Sequence, residues 1–193
     1  MLFGSEPAFG TSLKQTTAVL LSLHMKIPKA RVPQIAGQML RSLTEHDDIE
    51  TENPREVQLD IEAVLNQYIR DEQELTEKAK DLMTRRGLPS GQLGRIKRQL
   101  ADQRQMKLGD EALDYVVDQL LECLMHSHNV EEIYAPDHRL RRLLRAPLRE
   151  LDALEDSLQE EVRGRLKHVQ EGTAMWEVEY QRILEDVRRR KGL

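Results

Sequence analysis

Apolar residues recur along most of this chain at steps of three and four, the spacing that gathers them on one side of an α-helix. Val32, Ile35, Ala36, Met39, Leu40 and Leu43 form the first clear series, and predict an amphipathic helix from about Val32 to Glu45 with Pro33 in its first turn. The polar cluster Glu45-His46-Asp47-Asp48 ends it, and Ile49 to Thr51 reads as a short extended stretch. Asn53-Pro54-Arg55-Glu56 then offers an N-cap, a proline at the first helical position and a glutamate at the third. In the helix this opens, Val57, Ile61, Val64, Tyr68, Leu75, Ala79 and Leu82 make a coiled-coil-like seam with a polar interruption at Asp71-Glu72. Gly87 followed by Pro89 stops it. Roughly thirty residues at 1.5 Å each span about 45 Å, which predicts an elongated molecule. A shorter helix is expected from Ser90 to Gln105, with Leu93, Ile96 and Leu100 inward.

The plan then returns. Met39-Leu40-Arg41-Ser42-Leu43 running into Asp48-Ile49-Glu50 is echoed, about 81 residues later, by Leu120-Leu121-Glu122-Cys123-Leu124 running into Asn129-Val130-Glu131. Asp110 can cap a helix whose face carries Leu113, Val116, Val117, Leu120, Leu121 and Leu124. Ser127 to Ala135 connects it to a second long helix, seamed by Leu140, Leu144, Leu148, Leu151, Leu154, Leu158, Val162, Leu166 and Val169. Pro147 lies inside that seam and predicts a kink or restart near Arg145. Gly172 is expected to end this helix and Thr173 to cap a last one, which aligns Trp176, Tyr180, Ile183 and Val187 and places Arg188 to Lys191 where the helix dipole favours cations. The fold class is therefore all-α and elongated, with two similar units of long heptad-patterned helices at 25–107 and 108–193. Residues 1–24, which hold Phe3 and Phe9, have no counterpart. They read as a leader, mobile at its beginning, in which Ser12 can start a short helix to Leu23, or as sequence preceding a true start at Met25.

Charge and composition narrow the function classes. A formal net charge of -5 and a pI near 5.7 give no general attraction for nucleic acid or anionic membrane, so any such binding must be local. One cysteine, Cys123, rules out an intramolecular disulfide and a multi-cysteine metal site, and suits a reducing cytoplasm. The apolar run Ala18 to Leu23 is too short to span a membrane.

Several segments together resemble the bacterial family catalogued as domain of unknown function 507. They are Asp48-Ile49-Glu50, Val57 with Asp60-Ile61 and Val64-Leu65, Arg86-Gly87-Leu88-Pro89, Gly94-Arg95-Ile96-Lys97, Asn129-Val130-Glu131-Glu132, Gln170-Glu171-Gly172-Thr173, Trp176-Glu177-Val178-Glu179-Tyr180 and Lys191-Gly192-Leu193. The resemblance runs from about Met25 to the end. It implies a helical cytoplasmic bacterial protein and brings no catalytic residues with it.

Reactive groups are few. His126, His128, Asp137 and His138 are the one cluster with metal-ligand chemistry, but the aligned positions of the first unit, Glu45, Asp47, Arg55 and Glu56, do not keep the histidines, and a solvated helix end accounts for them. No phosphate-cradling glycine loop, dinucleotide fingerprint, Gly-x-Ser-x-Gly or His-Glu-x-x-His is present, and Cys123 sits among leucines with Ser42 as its counterpart. No catalytic residue, cofactor, metal or small-molecule ligand is expected. The residues to watch for partner binding are Arg139, Arg141, Arg142 and Arg145, with further basic runs at Arg95, Lys97, Arg98 and at Arg188 to Lys191, and the aromatic pair Trp176 and Tyr180. The leading expectation is a non-catalytic interaction or scaffold protein that binds another protein or itself; the alternative is a nucleic-acid or ribonucleoprotein factor using the arginine-rich helices.

Overall fold

The computed structural model describes residues 27–168 and 174–191. The expected elements at Ser12 to Leu23, the seam position Val169 and the cap at Thr173 lie outside them, while the second long helix ends at Arg165, before the expected stop at Gly172. The described residues form six α-helices and one two-stranded ribbon: α1 Val32–Thr44, β1 Ile49–Glu50, α2 Pro54–Arg86, α3 Leu93–Gln103, α4 Ala112–His126, β2 Glu132–Ile133, α5 Asp137–Arg165 and α6 Ala174–Arg190.

Local chemistry explains most of the boundaries. Pro54 occupies the first position of α2, where its missing N–H costs nothing. Asn53 stands at the cap but its side chain makes no capping bond; its carbonyl accepts from the Glu56 and Val57 amides at 3.0 and 3.2 Å. Gly87 closes α2 in the left-handed conformation at φ 61°, with the Leu88 amide bonded back to the Met83 carbonyl at 3.0 Å, a turn that a side chain at Gly87 would strain. Asp110 does not cap α4. It lies in the 3-10 turn Gly109–Glu111, from which α4 continues without a side-chain cap.

Pro147 produces no restart: α5 is continuous from Asp137 to Arg165. The ring is buried within the apolar face of α5, which Leu140, Leu144, Leu148 and Leu151 press against neighbouring helices, and that burial outweighs one lost backbone bond. In α3 the inward face keeps Leu100, which packs against the main core as expected, but it is centred on Lys97 and Ala101 rather than on Leu93 and Ile96. Ala101 and Lys97 are buried while Leu93, Ile96 and Leu100 are half-buried, because Lys97 lays its stem inward and pairs with Glu72 of α2.

Helix α1 packs on α2 and on α5; α4 packs on α5 and on α2. These four helices share one apolar core, to which residues on both sides of position 107 contribute. All six expected α1 positions are buried. On α2, Leu65 and Ile69 join Val57, Ile61 and Tyr68 inside, a stripe wider than a two-helix seam because α2 meets α1 and α4 at once. Past Ile69 the stripe narrows to Leu75 and Ala79, where α3 folds back on α2. The far half of α5 is covered in the same way by α6, around a second core of Leu158, Val162, Leu166, Trp176, Tyr180 and Val187. With 33 residues, α2 is about 50 Å long.

Candidate interaction surfaces

Between the two long helices, the connectors meet in the antiparallel ribbon, with Ile49 opposite Ile133 and Glu50 opposite Glu132. Each connector also reaches across to the other half's long helix. The carboxylate of Asp48, 5% exposed, lies 2.6 Å from Arg139 Nε of α5, and its carbonyl accepts from the Tyr134 and Ala135 amides at 3.0 and 3.2 Å. In the other direction, Asp60 Oδ2 of α2 accepts from Ser127 Oγ at 2.6 Å and Asn129 Nδ2 at 3.0 Å. Glu131 Oε1 accepts from the Glu52 amide at 3.0 Å, and the Tyr134 hydroxyl donates to Glu50, which pushes the phenol up to about 12. Asp48, Glu50, Asp60, Asn129 and Glu131, all from the segments that carried the resemblance, thus serve to join the halves.

The contact of Asp48 with Arg139 is close but bent: Arg139 Nε makes no hydrogen bond and Asp48 Oδ2 is buried without a partner. Asp48→Ala is expected to cost about 2 kcal/mol, and a cycle with Arg139→Ala to show coupling of about 1 kcal/mol. Additive effects in chemical denaturation would remove this pair from the joint.

The arginines of α5 are mostly occupied within the chain. Arg141 pairs with Asp118 of α4 and, at 2.6 Å, with Asp137; Arg145 pairs with Asp114 of α4. Two acids four apart on α4 therefore face two arginines four apart on α5, a matched spacing that was readable before the structure. Arg142 is exposed and has no ion pair among the described residues. Trp176 and Tyr180 are buried and stack on each other, ring centres 4.8 Å apart, inside the α5–α6 core, so they anchor α6 to α5 rather than face solvent. A blue-shifted Trp176 emission follows from this burial.

No group of three or more His, Cys, Asp or Glu side chains among the described residues is arranged to hold a metal ion. With Nδ1 protonated, His126 donates to the Glu122 carbonyl at 2.8 Å, as a helix-end histidine does. Cys123 is half-buried rather than fully buried; burial and then Asp60 push its thiol up, away from the thiolate a nucleophile needs.

Carboxylates along α2 and α5 clasp the returning helices. Arg104 holds Glu74 through two bonds of 3.0 Å, and Arg188 holds Glu155 at 2.8 Å. Beside the second clasp, burial and then Asp156 and Glu155 push Asp152 up to about 6. A carboxyl raised in the folded state favours folding fully below its unfolded pKa near 4, and that contribution is lost as pH rises through 6. Asp152→Asn is therefore expected to stabilise the protein by about 1 kcal/mol at pH 7.5, after allowance for the half-exposure of the group, and to change nothing at pH 4. Equal melting temperatures at both pH values would contradict the shift.

These observations define an all-helical protein whose charged and aromatic residues largely tie its own helices together, and in which no described helix is long and apolar enough to cross a membrane. The chain belongs to the family described as Protein of unknown function (DUF507), whose model matches residues 25–193. No curated protein matches it.

Proposed function

We propose that the protein is a non-catalytic cytoplasmic interaction module whose α5–α6 hairpin binds a second protein chain. One observation carries this reading. Trp176, Tyr180 and Val187 fix one side of α6 to α5, the only described helix on which α6 packs extensively, while Met175 and Val178, three residues apart, are 71% and 68% exposed. Large apolar side chains held on a helix away from the core suit a helix-packing partner. The non-catalytic part of the reading is supported by the unactivated Cys123 thiol and by carboxylates engaged in ion pairs.

The test is capture by the tagged full-length protein from a lysate of its own cells, read by mass spectrometry, beside Met175→Ser/Val178→Ser. A protein retained by the parent and lost by the variant, with helical content unchanged, is the expected result; a second copy of this chain counts as such a protein. Identical retention by both would move the interaction off α6.

A further inference from the structure

The return from α2 to α3 carries a charge pattern that the hairpin on α5 does not explain. Residues 82–101 contain Arg85, Arg86, Arg95, Lys97 and Arg98 and no aspartate or glutamate, in a chain whose formal charge is -5. Lys97 is turned inward to Glu72, but the four arginines are exposed. Among the described residues only Arg85 of the four makes an ion pair, with Asp81 at 3.9 Å, and both side chains are more than 70% exposed, where such a pair holds little. The guanidiniums of Arg86, Arg95 and Arg98 have no ion pair or hydrogen bond among the described residues. This contrasts with Arg139, Arg141 and Arg145 of α5, each of which faces a carboxylate.

We propose that this segment binds the phosphate backbone of a nucleic acid. All four exposed cations are arginines, whose planar forks match phosphate oxygens two bonds at a time. Backbone polarity acts in the same direction, since the chain enters α3 through the turn Ser90–Gln92 and no acid stands in the first turn of α3. An acidic protein is the weaker fit. Protein interfaces are centred on buried apolar and aromatic residues, and none of the large exposed apolar residues, Leu59, Met125, Tyr134, Met175 and Val178, belongs to this segment. The same lack of an exposed aromatic means that contact is through charge rather than base stacking, so binding is insensitive to sequence. The proposal is independent of the α6 reading, which uses the other hairpin.

The experiment is fluorescence anisotropy of labelled single-stranded RNA and DNA with the full-length protein across a salt series. With four phosphate contacts, affinity is expected to fall about 50- to 150-fold between roughly 50 and 200 mM salt. Arg95→Gln/Arg98→Gln and Arg85→Gln/Arg86→Gln should each lower the slope of log affinity against log salt by about 1.4 to 1.8, and the four changes together should abolish binding, with circular dichroism unchanged. Arg182→Gln/Arg189→Gln on α6, both side chains 78% exposed, is the charge-matched control and should bind as the parent does. Absence of binding at low salt, retention by the fourfold variant, or equal weakening by the control would overturn the proposal. Polyglutamate binding as tightly as RNA would replace it with an acidic protein partner.

Discussion

Leu144→Ala is expected to lower stability by about 3 kcal/mol and the melting temperature by about 6 to 12 °C. Leu144 is fully buried in the core shared by α1, α2, α4 and α5, between Leu140 and Leu148 on the buried face of α5. Removing its outer carbons loses their transfer from water and leaves a cavity that close-packed neighbours fill only in part. Because the core is common to helices from both halves, the loss should appear as one shifted transition by circular dichroism, with no early partial melting. Leu144→Met, which preserves volume, should cost less than about 1.5 kcal/mol. If Leu144→Ala instead produced two separated transitions, the two halves would not be sharing a core.

Tyr180→Ala should behave differently, although its cost is also about 3 kcal/mol. Tyr180 belongs to the second core, where it stacks on Trp176 and is buried with Leu158, Val162, Leu166 and Val187. Among the described residues that core contains six buried side chains against the much larger set in the first, and α6 touches the other described helices chiefly through α5. The energy is thus lost from a unit with little stability to spare, and α6 should loosen while the four-helix body remains folded. Trp176 reports this directly: its emission should move to the red at temperatures where the far-ultraviolet signal has lost only about one helix. An unchanged Trp176 emission, or a single transition shifted as a whole, would mean that the second core is continuous with the first. The same experiment bears on the partner binding proposed for α6, since Met175 and Val178 are presented only while Trp176 and Tyr180 hold the helix in place.

Helix existence and most helix ends were legible in the sequence because they depend on neighbours within a turn or two. Val32 to Leu43 announced its buried face through spacing alone, and Pro54 and Gly87 marked the ends of α2 through backbone chemistry that does not need the rest of the protein. The same local reasoning left open a restart at Pro147 that α5 does not show, and missed Lys97 on the inward face of α3. At Pro147 the packing of four leucines on α5 overrode a local penalty. At α3 a buried lysine was admitted because Glu72, twenty-five positions earlier, supplied its partner.

The candidate residues were legible in kind but not in role. Arg139, Arg141 and Arg145 were visible as a basic run, yet charge along one helix does not say whether a phosphate or an aspartate lies opposite. Trp176 and Tyr180 were visible as an aromatic pair, with nothing local to separate an anchor in the core from one awaiting a partner. Asp60 was marked only by the family resemblance, and its role was not legible because it comes from Ser127 and Asn129, more than sixty residues away.

By itself the sequence determined that this chain is helical, where its helices turn, and which side of most of them avoids water, since those outcomes follow from residue type and short-range periodicity. Tertiary structure decided which arginines are consumed and which remain available, because an ion pair exists only when the fold brings two distant side chains together. That is why Arg139, Arg141 and Arg145 became internal ties, while Arg86, Arg95 and Arg98, with no ion pair among the described residues, were left facing solvent.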